Sequence, residues 1–430
     1  MSDRRPGRFL MPVIDAGGTL PPALGLAAEL VRRGHSVDVL ADPTAAVSAR
    51  SAGCGFRSWQ SAPRVDSIAE QTALIAEMES GGPGRQFAAA RDRFLVGPAA
   101  AYADDVIAAV ADTSPDALLA EGAVPGILIG AIATGLPTAA LMPNIYLRPT
   151  PGMPVLASGW SPGAGVLGRA RDAIALAVLR LVLGRLRPGL NAVLATHGQP
   201  PVADMFELLD RCAEVLVMTS PTFDFSSPHI PANVTYVGPQ LDDPDWAITG
   251  DWRPDGDDPL VLVATSSVFQ DQADLLRRVA AALGQLPVRG LVTTGRAVDP
   301  ADVPAPANVR VVRAAPHQAV LAETAVVVTH AGHGSVLKAL AAGVPLVCMP
   351  MGRDQKDNTV RVLRLGAGVR ADKSAPPERI AAAVRQLLED PAYAGAARRF
   401  ADTLAEERRT RPSAADRAES LLSSPDQAKE

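Results

Sequence analysis

Val327-Val328-Thr329-His330-Ala331-Gly332-His333-Gly334-Ser335 runs on through Ala339-Leu340-Ala341-Ala342-Gly343-Val344-Pro345 towards Asp354-Gln355. The first apolar residues read as a strand and the two glycines as a turn. The Ala/Leu-rich run reads as a helix opened by Ser335 and closed by Gly343. A second apolar strand spans Pro345 to Met349, and a loop carrying the Asp-Gln pair follows. A helix that starts from a Gly-rich turn presents unpaired N–H groups and the positive end of its dipole, which suits a phosphate. Gly332 and Gly334 let the backbone approach an anion, the Ser335 hydroxyl adds a donor, and the His330 ring adds another. Asp354 and Gln355 reach the same sheet edge, where they can hydrogen-bond sugar hydroxyls. Alone, each piece is ordinary: a tight turn, a structural histidine, a solvated Asp-Gln pair. Together they describe a pocket for a nucleotide sugar.

The rest of the chain has room for two such units. Its 430 residues exceed one ordinary core, and 47% apolar with 20% charged residues is a soluble globular composition. A net charge of −5 gives no general attraction to nucleic acid. Cys54, Cys212 and Cys348 are too few for a disulfide framework and lack metal spacing, so a reducing cytoplasm is expected. The polar start, Met1 to Arg5, precedes an apolar run too short for a signal peptide or a membrane span.

Phe9 to Ile14 reads as a strand ending in Asp15-Ala16-Gly17-Gly18-Thr19, then a helix from Ala23 to Arg33 and a strand from His35 to Leu40. That order is a βαβ unit and implies a parallel sheet. Gly17-Gly18 lacks the three-glycine dinucleotide fingerprint, which excludes a nucleotide-dependent dehydrogenase here. Asp116 to Ala120 is a further strand with Glu121 at its end. A helix near Gly126 to Thr134 and the strand Pro137 to Met142 follow. Beyond them Asn144, Tyr146 and Arg148 open a Pro/Gly-rich stretch reaching Gly165, where a variable acceptor pocket is expected. The helix expected over 166–190 carries five arginines against Asp172. Its plain reading is a solvated basic face; its sharper reading is peripheral contact with a lipid bilayer or a large lipophilic molecule. Strands at Glu214 to Thr219 and Asn233 to Val237 complete a first domain, 1–238. The Pro/Asp/Gly-rich run 239–258 is a linker. A second α/β domain, 259–408, starts with Leu260 to Ala264, whose following turn offers Ser266 and Ser267 as further phosphate donors. Strands at Gly290 to Thr294 and Val309 to Val312 precede the turn Ala314-Ala315-Pro316-His317-Gln318. Helices follow over Thr359 to Leu365, Pro377 to Leu388 and Ala392 to Glu407. Residues 409–430 supply a last helix and a polar tail.

The ordered run His330-x-Gly332-x-Gly334-Ser335, Ala339 to Val347, Pro350 and Asp354-Gln355 resembles the donor signature of the macrolide and polyketide glycosyltransferases of actinobacteria. The resemblance implies the GT-B fold, two doubly wound Rossmann-like domains facing a cleft, with the last helix returning across the linker. It implies that His330, Gly332, Gly334 and Ser335 hold a diphosphate and that Asp354 and Gln355 read the sugar. Backbone groups of Ala315, Pro316, His317 and Gln318 would hold the nucleobase, although Ala314 and Ala315 supply no stacking ring. Gly18, Asn144, Tyr146 and Arg148 would face the acceptor. The implied reaction is transfer of a hexosyl or deoxyhexosyl group from UDP- or TDP-sugar to a lipophilic polyketide- or macrolide-like acceptor, with inversion. Neither a cofactor nor a metal is expected, and the enzyme would be a monomer or homodimer. Relatives commonly read Gly-His-x-x-Pro at the first turn, the His serving as base; here Gly18-Thr19-Leu20-Pro21-Pro22 puts Thr19 in that place. A threonine hydroxyl is a poor base near neutral pH, so Glu121, with Asp15 next, is the expected proton acceptor. The rival expectations are a catalytically silent GT-B protein that assists a partner enzyme, and a sugar-nucleotide epimerase. The epimerase would need more charged groups around the donor than Asp354 supplies.

Overall fold

The computed structural model describes residues 6–15, 17–243, 247, 251–265 and 272–423. Two parallel sheets organise them. The first holds β1 (Arg8–Pro12), β2 (Ser36–Ala41), β3 (Gly55–Ser58), β4 (Ala117–Glu121), β5 (Thr138–Met142), β6 (Glu214–Val217) and β7 (Val234–Tyr236), in the order β3-β2-β1-β4-β5-β6-β7. The second holds β8 (Leu260–Ala264), β9 (Arg289–Thr293), β10 (Val309–Val312), β11 (Thr324–Thr329), β12 (Leu346–Cys348) and β13 (Gly368–Arg370), in the order β10-β9-β8-β11-β12-β13. Central strands β4, β5 and β8 are buried along their whole length, as strands covered by helices on both faces must be. Alternate residues feed opposite layers: Leu10 and Leu118 enter one core of the first domain, Phe9, Met11 and Leu119 the other.

Each sheet reverses its strand order once, between β1 and β4 in the first and between β8 and β11 in the second. The loops leaving the carboxyl ends of such a pair diverge to opposite faces and open a crevice, where ligands of open α/β sheets bind. Every candidate residue on Asp15 to Thr19, Glu121 and His330 to Ser335 leaves one of those ends.

The helices used below are α1 (Leu20–Arg32), α2 (Ala99–Thr113), α3 (Pro125–Ala133), α4 (Gly165–Leu183), α5 (His317–Leu321), α6 (His333–Ala341), α7 (Gln355–Leu365), α8 (Pro391–Thr410) and α9 (Ala414–Ser420). Three differences from the sequence reading concern the site. The helix expected over 166–190 is broken: α4 stops at Leu183, a 3-10 turn covers Gly184–Leu186, and a new helix starts at Arg187. Its solvent-facing surface is mixed: Leu167, Ile174 and Leu181 are each more than 60% exposed, and Arg169, Arg180, Arg185 and Arg187 are exposed beside them, so the solvated basic residues share the surface with apolar ones. Finally, α7 begins at Gln355 rather than near Thr359, so the Asp-Gln pair opens a helix instead of lying in a loop.

The two domains meet along α7. Its Arg361 donates through Nε (3.0 Å) and Nη2 (2.6 Å) to Asp224 Oδ1 of the first domain, with both side chains almost fully buried. Asp224 Oδ2 in turn accepts from the Tyr146 N–H and the Tyr236 hydroxyl. Removing one partner of such a buried pair strands the other charge, at a cost of roughly 3–5 kcal/mol. After α8 the chain returns: Ala414, Ala415, Ala418 and Leu421 join the first domain's core beside Leu30 and Val37. Ser413 and Asp416 form a capping box that starts α9, and Arg33 and His35 pair with Asp416 and Glu419.

Candidate functional site

On the second sheet, β11 ends at Thr329 and the chain turns sharply. Ala331 adopts the left-handed conformation (φ 65°), and its N–H donates to Thr329 Oγ1 at 3.2 Å. The turn delivers Gly332 as the N-cap of α6, with no side-chain cap, so the first N–H groups of the helix point outward unspent. Ser335 is therefore in the first turn of α6 and does not open it. A Cβ at Gly332 would lie 2.4 Å from His330 Nε2, so only glycine lets the ring sit against the helix start. Left-handed Gly343 follows the end of α6, as the sequence pattern requires.

His330 is buried, and burial pushes its pKa down to about 4, against the opposing pull of the Ala264 carbonyl. With that pKa the ring is neutral at pH 7 and carries a single N–H. His333, at the first position of α6, is likewise buried and held neutral; its Nε2 lies 3.4 Å from the Met218 carbonyl of the first domain. The donor edge therefore offers an anion dipoles and N–H groups without a fixed histidine cation. Ser266 and Ser267 lie outside the described residues.

Asp354 is the N-cap of α7, and its Oδ2 accepts from Asn358 Nδ2 at 2.9 Å. Gln355 is buried, with its Oε1 accepting from the N–H groups of Met351 and Gly352, so its carbonyl shapes the loop before the helix. Asn358 also donates to the Ala331 carbonyl at 3.1 Å and so ties the turn after β11 to α7. Sequence reasoning missed that residue; its spacing of one helical turn from Asp354 was the available signal. In the expected nucleobase turn, His317 opens α5 and the Gln318 N–H donates to linker residue Asp243 at 2.9 Å. Lys338 of α6 binds the same carboxylate at 2.6 Å. Burial, with Lys338 alongside, lowers the His317 pKa to about 4.

Across the cleft the first sheet presents carboxylates. Glu121 ends β4 and is 2% exposed. The Ala123 N–H is its one favourable contact, Oε1 has no hydrogen-bond partner among the described residues, and burial raises its pKa to about 8. Asp15 is already engaged: Oδ1 accepts from the Gly17 N–H, Oδ2 from the Thr44 hydroxyl, and its backbone carbonyl from Gln71 Nε2. The Thr19 hydroxyl donates to the Ile14 carbonyl at 3.3 Å and does not reach Glu121. Of the acceptor candidates, Gly18 is exposed and Asn144 is half-buried. Tyr146 is buried with its hydroxyl beside Arg148 and Thr150, and Arg148 is held in a two-pronged pair by Asp210.

An open apolar groove of about 560 Å³ lies beside α4, lined by Val155, Trp160, Ile174, Val178 and Val182. Among the described residues no three His, Cys, Asp or Glu side chains group closely enough to hold a metal ion.

Residues 278–423 match the family model described as erythromycin biosynthesis protein CIII-like, C-terminal domain. The chain is 30% identical over 405 residues to 4'-demethylrebeccamycin synthase of Lentzea aerocolonigenes, a match spanning 93% of this chain and 96% of that one. Oleandomycin glycosyltransferase of Streptomyces antibioticus is 30% identical over 423 residues, spanning 95% of this chain and 90% of its own. The crystal structure of the glycosyltransferase of kitacinnamycin superposes with a TM-score of 0.74 at 25% identity, covering 97% of this chain and 99% of that one. A parallel-sheet pair with facing crevices, a donor-type helix start and near full-length relatives lead to one conclusion: the chain belongs to the natural-product glycosyltransferases of the GT-B fold.

Proposed function

We propose that this glycosyltransferase moves a hexosyl or deoxyhexosyl group from a UDP- or TDP-sugar to a hydroxyl of a lipophilic aglycone, with inversion. The observation that carries the reading is the pairing of opposed chemistries at the two switch points. One has an uncapped helix start with neutral imidazoles; the other has a buried carboxylate whose Oε1 lacks a partner among the described residues. In this reading the acceptor hydroxyl gives its proton to Glu121 Oε1 as its oxygen attacks the anomeric carbon. The bond from that carbon to the diphosphate oxygen breaks, and the diphosphate leaves with the electron pair. The α6 N–H groups, Gly334 and Ser335 stabilise that charge, a preorganised arrangement of the kind that dominates such catalysis. Asp354, at the neighbouring helix start, takes the sugar hydroxyls, with Gln355 holding the loop that presents it. The nucleobase lies against Ala315 to Gln318. The aglycone occupies the apolar groove on α4, whose wall includes Val155 and Trp160. The reaction as assigned needs no metal or cofactor, and three buried free cysteines favour the cytosol.

The experiment is a panel of TDP, UDP and GDP in thermal unfolding, followed by incubation with the matching nucleotide sugar and aromatic polyketide alcohols. The right nucleotide at a hundredfold excess over its Kd adds about 2.7 kcal/mol of stability. A glycosylated product read by mass establishes transfer. The second reading, a silent GT-B protein assisting a partner, is favoured by one observation: Thr19 replaces the usual base and its hydroxyl is spent on Ile14. Nucleotide binding without any glycosylated product, across acceptors, is its signature.

A further inference from the structure

Asp357 lies one turn into α7, on the helix opened by Asp354, and is 3% exposed. Its carboxylate is not spent on its own domain. Oδ2 accepts from the Ala157 N–H at 2.5 Å and Oδ1 from the Gly159 N–H at 2.7 Å, both on the first domain's irregular 153–163 segment. Ala157 and Gly159 both have φ of 64°, which turns their N–H groups inward into a small concavity around the anion. For Ala157 that conformation is unfavourable by itself, so something must hold it there. At Gly159 a Cβ would lie 2.9 Å from Lys356 Cβ, so the loop rests directly on the helix. Trp160 follows at once and forms part of the groove, with the Arg171 guanidinium 4.5 Å over its ring. Beyond it Arg171 Nη2 donates to the Ser161 carbonyl and Asp172 accepts from the Gly163 N–H at 2.6 Å. The loop is thus pinned at both ends: to α4 by Arg171 and Asp172, and to α7 by the Asp357 carboxylate.

We propose that Asp357 is a positioning residue for the acceptor, locking the 155–160 wall of the apolar groove to the helix whose first turn faces the donor sugar. The groove and the sugar site then share one rigid element, and the distance between the acceptor body and the anomeric carbon is set by a single carboxylate. The assignment of the groove to the acceptor rests on the functional reading above; the loop geometry does not.

The test uses the full chain, TDP and UDP as nucleotide probes, and 7-hydroxycoumarin as a planar phenolic probe titrated by fluorescence. In Asp357→Ala the amides of Ala157 and Gly159 exchange with deuterium at least about tenfold faster, because the opened loop no longer protects them. Hydroxycoumarin affinity falls at least about tenfold, while the affinity for the bound nucleotide stays within about threefold of wild type, since the phosphate turn is untouched. Asp357→Asn keeps one acceptor oxygen and gives an intermediate loss. Adding Ala157→Gly to Asp357→Ala recovers part of the probe affinity, because glycine adopts the left-handed turn unaided; a general folding defect would not be rescued this way. Faster exchange with unchanged hydroxycoumarin affinity, unchanged exchange, or absence of hydroxycoumarin binding to the wild type overturns the proposal. Failure of the wild type to bind any nucleotide instead sinks the transferase reading, while the exchange and coumarin results still decide the role of Asp357.

Discussion

The switch point between β8 and β11 and the one between β1 and β4 are the same piece of topology, yet they are furnished in opposite ways. At β11 the chain removes side chains: Gly332 and Gly334 bare a helix start, and His330 and His333 are buried until they are neutral. At β4 it buries an acid instead, and leaves one oxygen of Glu121 without a partner among the described residues. Strand order alone makes a crevice; whether it takes up an anion or a proton depends on what the last residue of each strand carries and how deeply it is desolvated. The comparison also explains how a site can lack the usual histidine base. A carboxyl freed from an imidazole partner and moved out of water is driven towards the pKa that general base catalysis requires.

The largest effect that could break this contrast is at Glu121. Glu121→Gln should lower turnover by roughly 10²–10⁴-fold, the usual worth of one general base, with nucleotide affinity intact. Its pH dependence is distinctive. With a pKa raised to about 8, the group is mostly protonated in neutral buffer. The base form therefore grows as pH rises, kcat/KM climbs through about 8, and the Gln variant loses that limb. A flat profile in the wild type, or near-native turnover in the variant, would hand the role to Asp15 or to another route, and Asp15→Asn separates those two.

On the donor side Gly332→Ala comes next. The added carbon would collide with His330 Nε2, and displacing a packed group typically costs 1–3 kcal/mol, or about 5- to 150-fold in nucleotide affinity by calorimetry. Unchanged affinity would show that the helix start does not touch the phosphates. His330→Ala falls in the same range. A neutral imidazole carries one N–H, held by the Ala264 carbonyl in the free protein; turned to the ionised diphosphate it is worth about 1.5–3 kcal/mol, a roughly 10- to 150-fold loss of TDP or UDP affinity. Unchanged affinity would show that the proton stays on Ala264. The smallest effect is selective: Asp354→Ala should weaken the nucleotide sugar by about fivefold, one hydrogen bond's worth, and leave the free nucleotide diphosphate unaffected. Equal losses for both ligands would place Asp354 on the nucleotide or in the fold.

Much of this architecture is written locally. Central strands such as Thr138–Met142 and Leu260–Ala264 are short apolar runs that start just after Pro137 and Pro259, and their limits follow from the sequence. Edge strands β3 and β13 are not legible that way, because Gly55–Ser58 and Gly368–Arg370 are only partly buried and carry no alternation. The turn and helix start after β11 were legible because such a turn needs glycine at fixed offsets. The state of its histidine was not, since desolvation depends on what packs over the ring. Arg148 looked like a ligand reader on its loop, and only the fold brings Asp210 beside it. Asp357 was overlooked for the same reason: its partners lie about two hundred residues away in sequence, on a loop of the other domain.

The return of α9 to the first domain has a consequence for how the molecule is made. Ala414, Ala415, Ala418 and Leu421 fill a gap against α1 and β2, and the pairs from Arg33 and His35 to Asp416 and Glu419 close over it. The residues that finish the first domain are thus made only after the whole second domain. Domains usually fold as units in order of synthesis, but here the earlier one must wait, its apolar seam open, until the second domain has been made. A truncation just before Ser413 would accordingly damage the domain farthest from the cut in sequence, and a nascent chain stalled there would be the natural client of a chaperone.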